Sequence, residues 1–462
     1  MTSCAERRPM GRAWGQMSTL PAPPAANTTA RPPRNGAKGG RLRVAMVSVH
    51  TCPLAKLGSR ETGGMNVYVR ELSRHLGARG VEVDVFTRRQ DNGTPRVVEF
   101  GENARVIHLE AGPNRPMDKY RVLEQLPQFL QGIREFSAET GRRYDVVHSH
   151  YWLSGPVAGA LAQEEGLPLV TMFHTLGYVK NRVSTNGHER EQRTRMEIER
   201  AAMVASDRLV AASPTDRDQM VDFYHADSSN IRVIPAGVDT QLFQPLPKAT
   251  ARSILDMGSE PQILFVGRIQ ALKGIDLLIR AFARLLAGWG EEPAPRLTVV
   301  GGRSSSDGTD PEAWEMDRLK ALSVELGIGD RLRFREAVPH HQLPLHYSAA
   351  DVVVVPSLYE SFGLVALESM ACGTPVVAAR VGGLQWTVQH GKTGFLVPQR
   401  SPERYASAVG ALLRDGALRE RMSASAVEVA KEYSWSAVAE RVLELYREMS
   451  GRGAHQLAAC AR

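Results

Sequence analysis

Ile263-Leu264-Phe265-Val266-Gly267-Arg268-Ile269-Gln270-Ala271-Leu272-Lys273-Gly274 decides how this chain is read. Four apolar residues closed by a glycine have the pattern of a strand buried on both faces. A basic, glycine-bearing loop follows, then residues 274–286 with helical apolar spacing, then a second strand at Leu297-Thr298-Val299-Val300. The same alternation has already run once upstream. It has strands at 44–49, 81–86, 106–109, 146–148, 169–173, 208–212 and 233–234, and helices at 66–76, 118–136 and 189–205. Beyond residue 300 it continues through Leu332-Arg333-Phe334, Val352-Val353-Val354-Val355 and Val376-Val377-Ala378-Ala379. Strands alternating with helices make parallel βαβ units. The expected class is therefore α/β: two Rossmann-like, doubly wound parallel-sheet domains facing a central cleft. The first is expected over 41–240 and the second over 241–432, with the change near 239–261, where Pro245 and Pro247 fall in weakly periodic sequence. Residues 433–450 read as an amphipathic helix strapping one domain to the other, ahead of a tail at 451–462.

The 462 residues exceed one ordinary core. The net charge of +7 is concentrated at the start, where Arg7, Arg8, Arg12, Arg31, Arg34 and Lys38 face Glu6 alone. This is a basic leader over 1–40, expected to be disordered, and not the surface of a nucleic-acid-binding fold. It lacks the uninterrupted apolar core of a secretory signal, and no 18-residue apolar run follows it. Cys4, Cys52, Cys372 and Cys460 lie far apart without metal-type spacing, which suggests reduced thiols and a cytoplasmic protein.

The chemistry concentrates where strands end. Arg268 and Lys273 put a planar fork and a compact cation beside glycines, a pair able to hold phosphate oxygens and stabilise a departing diphosphate. Glu360-Ser361-Phe362-Gly363-Leu364-Val365-Ala366-Leu367-Glu368 follows the strand at 352–355, with a helix expected to begin near 363. Its free N–H groups suit a diphosphate, and Glu360 and Glu368 could accept hydrogen bonds from sugar and ribose hydroxyls. The same carboxylates could instead simply compensate the helix charge. Gly63-Gly64 follows the first strand and lets backbone approach a ligand closely. Asp216-Arg217-Asp218 reads better as helix-start compensation than as a metal motif, and His340, His341 and His346 better as a polar loop than as metal ligands. His148 and His150 read as lining of the cleft.

Gly63-Gly64-Met65-Asn66-Val67-Tyr68, His148-Ser149-His150-Tyr151-Trp152, Phe173-His174-Thr175-Leu176-Gly177, Gly267-Arg268 with Lys273, and Glu360 to Glu368 together resemble glycosyltransferase family 4, of the GT-B fold, from about 43 to 446. Within it the chain looks most like the D-inositol-3-phosphate glycosyltransferases of mycothiol synthesis, and is similar to sucrose-phosphate synthases. The resemblance implies a retaining transferase using a UDP-sugar, UDP-GlcNAc favoured, and a phosphorylated acceptor such as 1D-myo-inositol 3-phosphate. Sucrose-phosphate synthase-like transfer from UDP-glucose is one alternative, and a nucleotide-sugar-binding protein or epimerase without transfer is another. Retention in such enzymes is explained by front-face attack, so no carboxylate nucleophile is required.

The resemblance also implies residue roles. Catalytic roles fall to His174, Arg268 and Lys273. The donor would be held by His50, Gly63, Gly64, Arg268, Lys273, Val338, Glu360, Phe362, Gly363, Leu364 and Glu368, with Glu360 at the sugar and Glu368 at the ribose. The acceptor would be held by His50, Gly64, Asn66, Lys119, Tyr151, Thr175 and Arg195. No metal is implied in catalysis, but a structural magnesium would lie near Tyr347, Ser348, Ala350 and Thr374. A homodimer is compatible with the resemblance. Two departures fall on the acceptor side. Residues 55–62 lack the expected Gln-Pro-Gly-Thr-Gly-Asp run, and Gly177-Tyr178 replaces a pair of small residues.

Overall fold

A computed structural model describes residues 40–55, 62–184, 190–290, 293–302, 311–398 and 400–451. Residues 1–39 of the leader, 452–462 of the tail and 56–61 of the acceptor-side departure lie outside these. So does position 189, the expected start of a helix.

Two sheets carry the described fold. The first contains β1 (Arg43–Val47), β2 (Glu82–Arg88), β3 (Val97–Gly101), β4 (Ala104–Leu109), β5 (Val146–His150), β6 (Leu169–Met172), β7 (Arg208–Ala211) and β8 (Ile231–Val233), in the order β3-β4-β2-β1-β5-β6-β7-β8. The second contains β9 (Gln262–Val266), β10 (Arg296–Val300), β11 (Leu332–Arg335), β12 (Val352–Val355), β13 (Val376–Ala379) and β14 (Gly394–Val397), in the order β11-β10-β9-β12-β13-β14. In each, the chain winds outward from a central strand and then returns to that strand's other side, so topology switches between β1 and β5 and between β9 and β12. Ligands of open α/β sheets bind beyond the carboxyl ends of strands at such switches. The runs Val44–Val47 and Val352–Val355 are wholly or nearly inaccessible because helices cover both faces.

The expectation of parallel pairing throughout needs one correction. β3 pairs antiparallel with β4, closed by a short turn in which Asn103 takes φ 52°. Its residues alternate between exposed and half-buried, so it never forms the apolar run by which the other strands are recognised. The helix expected over 118–136 is also interrupted. It forms as Lys119–Val122, a 3-10 turn Leu123–Gln125, and Leu126–Thr140, with Pro127 in the first turn of the last piece, where its missing N–H costs nothing.

The helix Trp435–Met449 packs on the helix Gly64–Gly77, at the back of the first sheet. Ser434 caps its start by accepting the Ala437 N–H at 3.3 Å. The chain around it returns to the first half through Val238 N–H to Tyr433 O at 2.8 Å, and through Arg79 to Glu440 at 3.0 Å. Trp435, 2% exposed, lies against Gly237 and edge-on to Tyr68 at 5.3 Å between ring centroids. Among the described residues no helix is long and apolar enough to cross a membrane, and Cys52 and Cys372 are free thiols.

Candidate active site

One wall of the cleft is built where β9 and β12 end. The loop after β9 carries Arg268 and turns through the 3-10 helix Ala271–Lys273. It is laced to the loop after β12 by Leu358 N–H to Leu272 O at 2.9 Å. This brings Lys273 Nζ to 2.7 Å from Glu360 Oε2, both partly exposed toward the cleft. Gly363 precedes the helix Leu364–Ala371 with φ +98°, and a Cβ there would lie 2.6 Å from Leu384 Cδ2, so both conformation and space favour glycine. Inside that helix, Glu368 is 5% exposed and accepts from Tyr347 OH at 2.8 Å, with His340 Nε2 also at 2.8 Å. Burial and the Glu368 charge push Tyr347 well above the usual phenol range, so it stays a donor. His340 thus belongs to this wall, which corrects the polar-loop reading, and His346 is buried in the helix Leu343–Ala349. Val338 is half-buried two residues before His340, and Phe362 is buried.

The first half meets this wall at Gly63 and Gly64. A Cβ at Gly64 would stand 3.0 Å from Leu364 Cδ1, and one at Gly63 would stand 4.0 Å from Arg268 Nε. Two helix N-termini and two cations therefore surround one gap, a place built for negative charge. Asn66 is turned away from it. Asn66 donates to Thr51 Oγ1 (2.8 Å) and Cys52 O (2.7 Å) and accepts the Gly63 N–H (3.0 Å), so it fixes the loop that presents the glycines.

The floor is a row of histidines. His150 Nδ1 and His174 Nε2 are 3.0 Å apart, His148 Nδ1 and Tyr446 OH 2.6 Å apart, and Tyr68 stands edge-on to His174 at 5.1 Å between centroids. Burial pushes His148 and His174 down to about 3 and His150 well below its usual value, so the row is neutral near pH 7. His174 and Tyr151 both hold positive φ (62° and 73°), a conformation costly for side chains of their size and common at functional positions.

The opposite wall gathers cations. Arg195, 0% exposed, reaches Thr175 Oγ1 at 3.0 Å, Thr175 O at 2.8 Å and Tyr151 OH at 3.3 Å, and His50 stacks on Tyr151 at 5.4 Å. Lys119 does not reach this group directly. It meets it through Glu191, whose carboxylate bonds Lys119 (2.6 Å), Lys180 (2.5 Å), Arg195 (2.9 Å) and Tyr120 OH (2.8 Å). Burial alone would raise the Glu191 carboxyl, but Arg195, Lys180 and Lys119 hold it far below the usual range. Sequence reasoning passed over Glu191, Lys180 and Tyr120. Glu191 lies in a stretch of alternating charges that reads as a solvated face, and only the fold shows that its side chain is 1% exposed.

Two other sequence readings concern metals. Asp216 accepts the Ala212 N–H at 2.9 Å in the first turn of the helix Pro214–Tyr224, and burial raises it to about 6. At the suggested magnesium position, Thr374 Oγ1 donates to Tyr347 O at 2.7 Å and Ser348 Oγ accepts the Leu246 N–H at 3.2 Å. Those oxygens are hydroxyl and backbone groups, and the suggested positions supply no carboxylate. Among the described residues no three His, Cys, Asp or Glu side chains cluster as a metal site would need.

Comparison with known proteins identifies the family. Residues 62–242 match the family described as Glycosyltransferase Family 4, and residues 248–429 match Glycosyl transferases group 1. The chain is 43% identical over 418 residues to a D-inositol 3-phosphate glycosyltransferase of Acidothermus cellulolyticus, covering 89% of this chain and 92% of that protein. It is 44% identical over 420 residues to one of Kineococcus radiotolerans, covering 88% and 95%. Among solved structures, the sucrose-phosphate synthase of Thermosynechococcus elongatus superposes with a TM-score of 0.81 at 36% identity, covering 89% of this chain and all of that one.

Proposed function

The chain belongs to the family 4 glycosyltransferases, and from that premise we propose that it moves a hexosyl or N-acetylhexosaminyl group from a UDP-sugar to a phosphorylated polyol, with retention. UDP-GlcNAc is the favoured donor and 1D-myo-inositol 3-phosphate the favoured acceptor. The observation that carries the acceptor class is the convergence of Arg195, Lys119, Lys180, Tyr151 and Thr175 on one wall, opposite the Arg268–Lys273 corner. A neutral polyol needs no such set of cations, whereas a phosphate dianion does.

In this reading the donor diphosphate lies between the Gly63-Gly64 turn and Arg268 with Lys273, and Glu368 holds the ribose. The acceptor hydroxyl approaches the anomeric carbon on the face from which the diphosphate leaves. The new C–O bond forms as the glycosyl–phosphate bond breaks, and the hydroxyl proton passes to the departing phosphate oxygen. Arg268 and Lys273 offset the charge that develops there. Neutral His174 contributes a hydrogen bond at the transferred sugar. The charge is met by side chains, so transfer is expected to persist in chelator.

A second reading, glucose transfer from UDP-glucose to a sugar phosphate, is favoured by the likeness to sucrose-phosphate synthase. A matrix of UDP-GlcNAc and UDP-glucose against inositol 3-phosphate and fructose 6-phosphate separates the two. Product from UDP-GlcNAc and inositol 3-phosphate alone supports the first. Product only with fructose 6-phosphate supports the second. UDP release that ignores every acceptor would overturn both. The anomeric configuration of the product tests retention.

A further inference from the structure

The anion position of the acceptor wall is occupied by the protein itself. Glu191 receives three cations and a phenol, the complement of donors a phosphate group would collect. Its main chain is fixed independently of that carboxylate. The Glu191 N–H donates to Asn181 Oδ1 at 2.7 Å, and Asn181 Nδ2 donates to Glu191 O at 2.9 Å. The neighbouring carboxylate is built differently. Glu199 is 0% exposed, takes the Gly177 N–H on both oxygens at 3.1 and 3.0 Å, and is bonded by Tyr224 and by Arg195 Nε at 2.7 Å. Glu199 therefore keeps Arg195 paired whatever Glu191 does. Of these two carboxylates, only that of Glu191 is bonded, among the described residues, entirely by side chains, each able to bond another anion in its place.

We infer that Glu191 determines acceptor specificity by acting as an internal counter-anion, which the acceptor's phosphate must displace from Lys119, Lys180 and Arg195. The inference rests on the reading that the acceptor is phosphorylated. A neutral polyol brings nothing to replace the carboxylate and leaves the wall closed. A phosphate dianion brings more charge and more acceptor oxygens than the carboxylate it replaces. The same competition weakens every anion by the fraction of molecules whose carboxylate is already displaced. The ring thus shuts out any anion too weak to bear that common loss and still admits a strong one, through a repulsive element built into the attractive site.

The test is Glu191→Gln in the full chain, with inorganic phosphate as the probe, read by calorimetry at fixed ionic strength, alongside KM and kcat for the phosphorylated acceptor. The amide keeps the size of the side chain and removes its charge. Phosphate is expected to bind about tenfold tighter, as when only about a tenth of wild-type molecules have the position open. The acceptor KM should fall while kcat changes little. Glu191→Asp, charged but too short to reach all three cations, should lie between the two, and it decides the matter alone if the Glu191→Gln variant does not fold. Phosphate binding unchanged or weaker in a folded variant would overturn the inference and make Glu191 a scaffold for the cations. A wild-type protein that transfers to a phosphorylated acceptor, while Glu191→Gln binds phosphate no tighter, rejects the role of Glu191 and leaves the functional reading standing. A protein that transfers to no phosphorylated acceptor rejects that reading, and this inference with it.

Discussion

At the scale of single residues, Lys273 and Gly64 separate catalysis from stability. The Lys273–Glu360 pair is short but only partly buried, and such pairs contribute ~0–1 kcal/mol to folding. Lys273→Ala should therefore leave the thermal midpoint nearly unchanged while lowering kcat by ~10²–10³, the loss seen when one charge-stabilising donor is removed. An unaltered kcat in a folded variant would remove Lys273 from the mechanism. Gly64 opens its helix in ordinary helical geometry, so alanine there should stabilise the fold by ~0.4–1 kcal/mol through the unfolded chain. The added methyl, however, would stand 3.0 Å from Leu364 Cδ1 across the gap. Gly64→Ala is thus expected to raise the donor KM with no fall in melting temperature, and steady-state kinetics beside a melting curve would show whether the two effects part. Arg268 and Lys273 were legible in the sequence because a strand end fixes which way the following loop must face. Glu191 was not, since its burial depends on Lys119 and Lys180 arriving from two separate short helices, Lys119–Val122 and Gly177–Val183.

At the scale of elements, the helix Trp435–Met449 holds the first half of the chain from behind. Trp435 fills the space left by Gly237 and meets Tyr68, whose ring also meets His174, so this helix supports the floor of the cleft. Trp435→Ala should cost ~3–5 kcal/mol by the cavity it leaves. Ser434→Ala, which removes one capping bond, should cost only ~1 kcal/mol. Denaturant titration of the two variants would rank them, and equal losses would mean that the helix end matters as much as its packing. Most elements could be read from the chain because β-branched runs and 3.6-residue spacing report burial directly. The exceptions have local causes. β3 is a half-exposed edge whose alternation is too short to stand out, and Pro127 restarts a helix that apolar spacing alone would carry through.

At the scale of the whole molecule, the histidine row makes stability depend on acid. His148, His150 and His174 are held neutral by burial, so below the ordinary histidine value of 6.5 the unfolded chain binds protons that the native protein refuses, at His148 and His174 until about pH 3 and at His150 well below its usual range. Stability from these groups is complete above pH 6.5 and is lost as pH falls through that window. Asp216 acts in the opposite sense. Its native value of about 6 exceeds the ordinary 3.8, so it favours the folded state as pH falls from 6 toward 3.8. Three protons against one leaves a net uptake of about two on unfolding near pH 5, or about 3 kcal/mol lost per pH unit. The lowered carboxyl of Glu191 steepens the loss below its ordinary value of 4.5. Chemical denaturation at pH 7, 6 and 5 should therefore show a falling midpoint at constant slope, and a flat profile would mean that the row is protonated in the native state. His148 bonds Tyr446, so Tyr446→Phe offers the matching control. It removes the bond and leaves the ring buried, and the acid-sensitive window should persist because desolvation, not that bond, sets the histidines' charge.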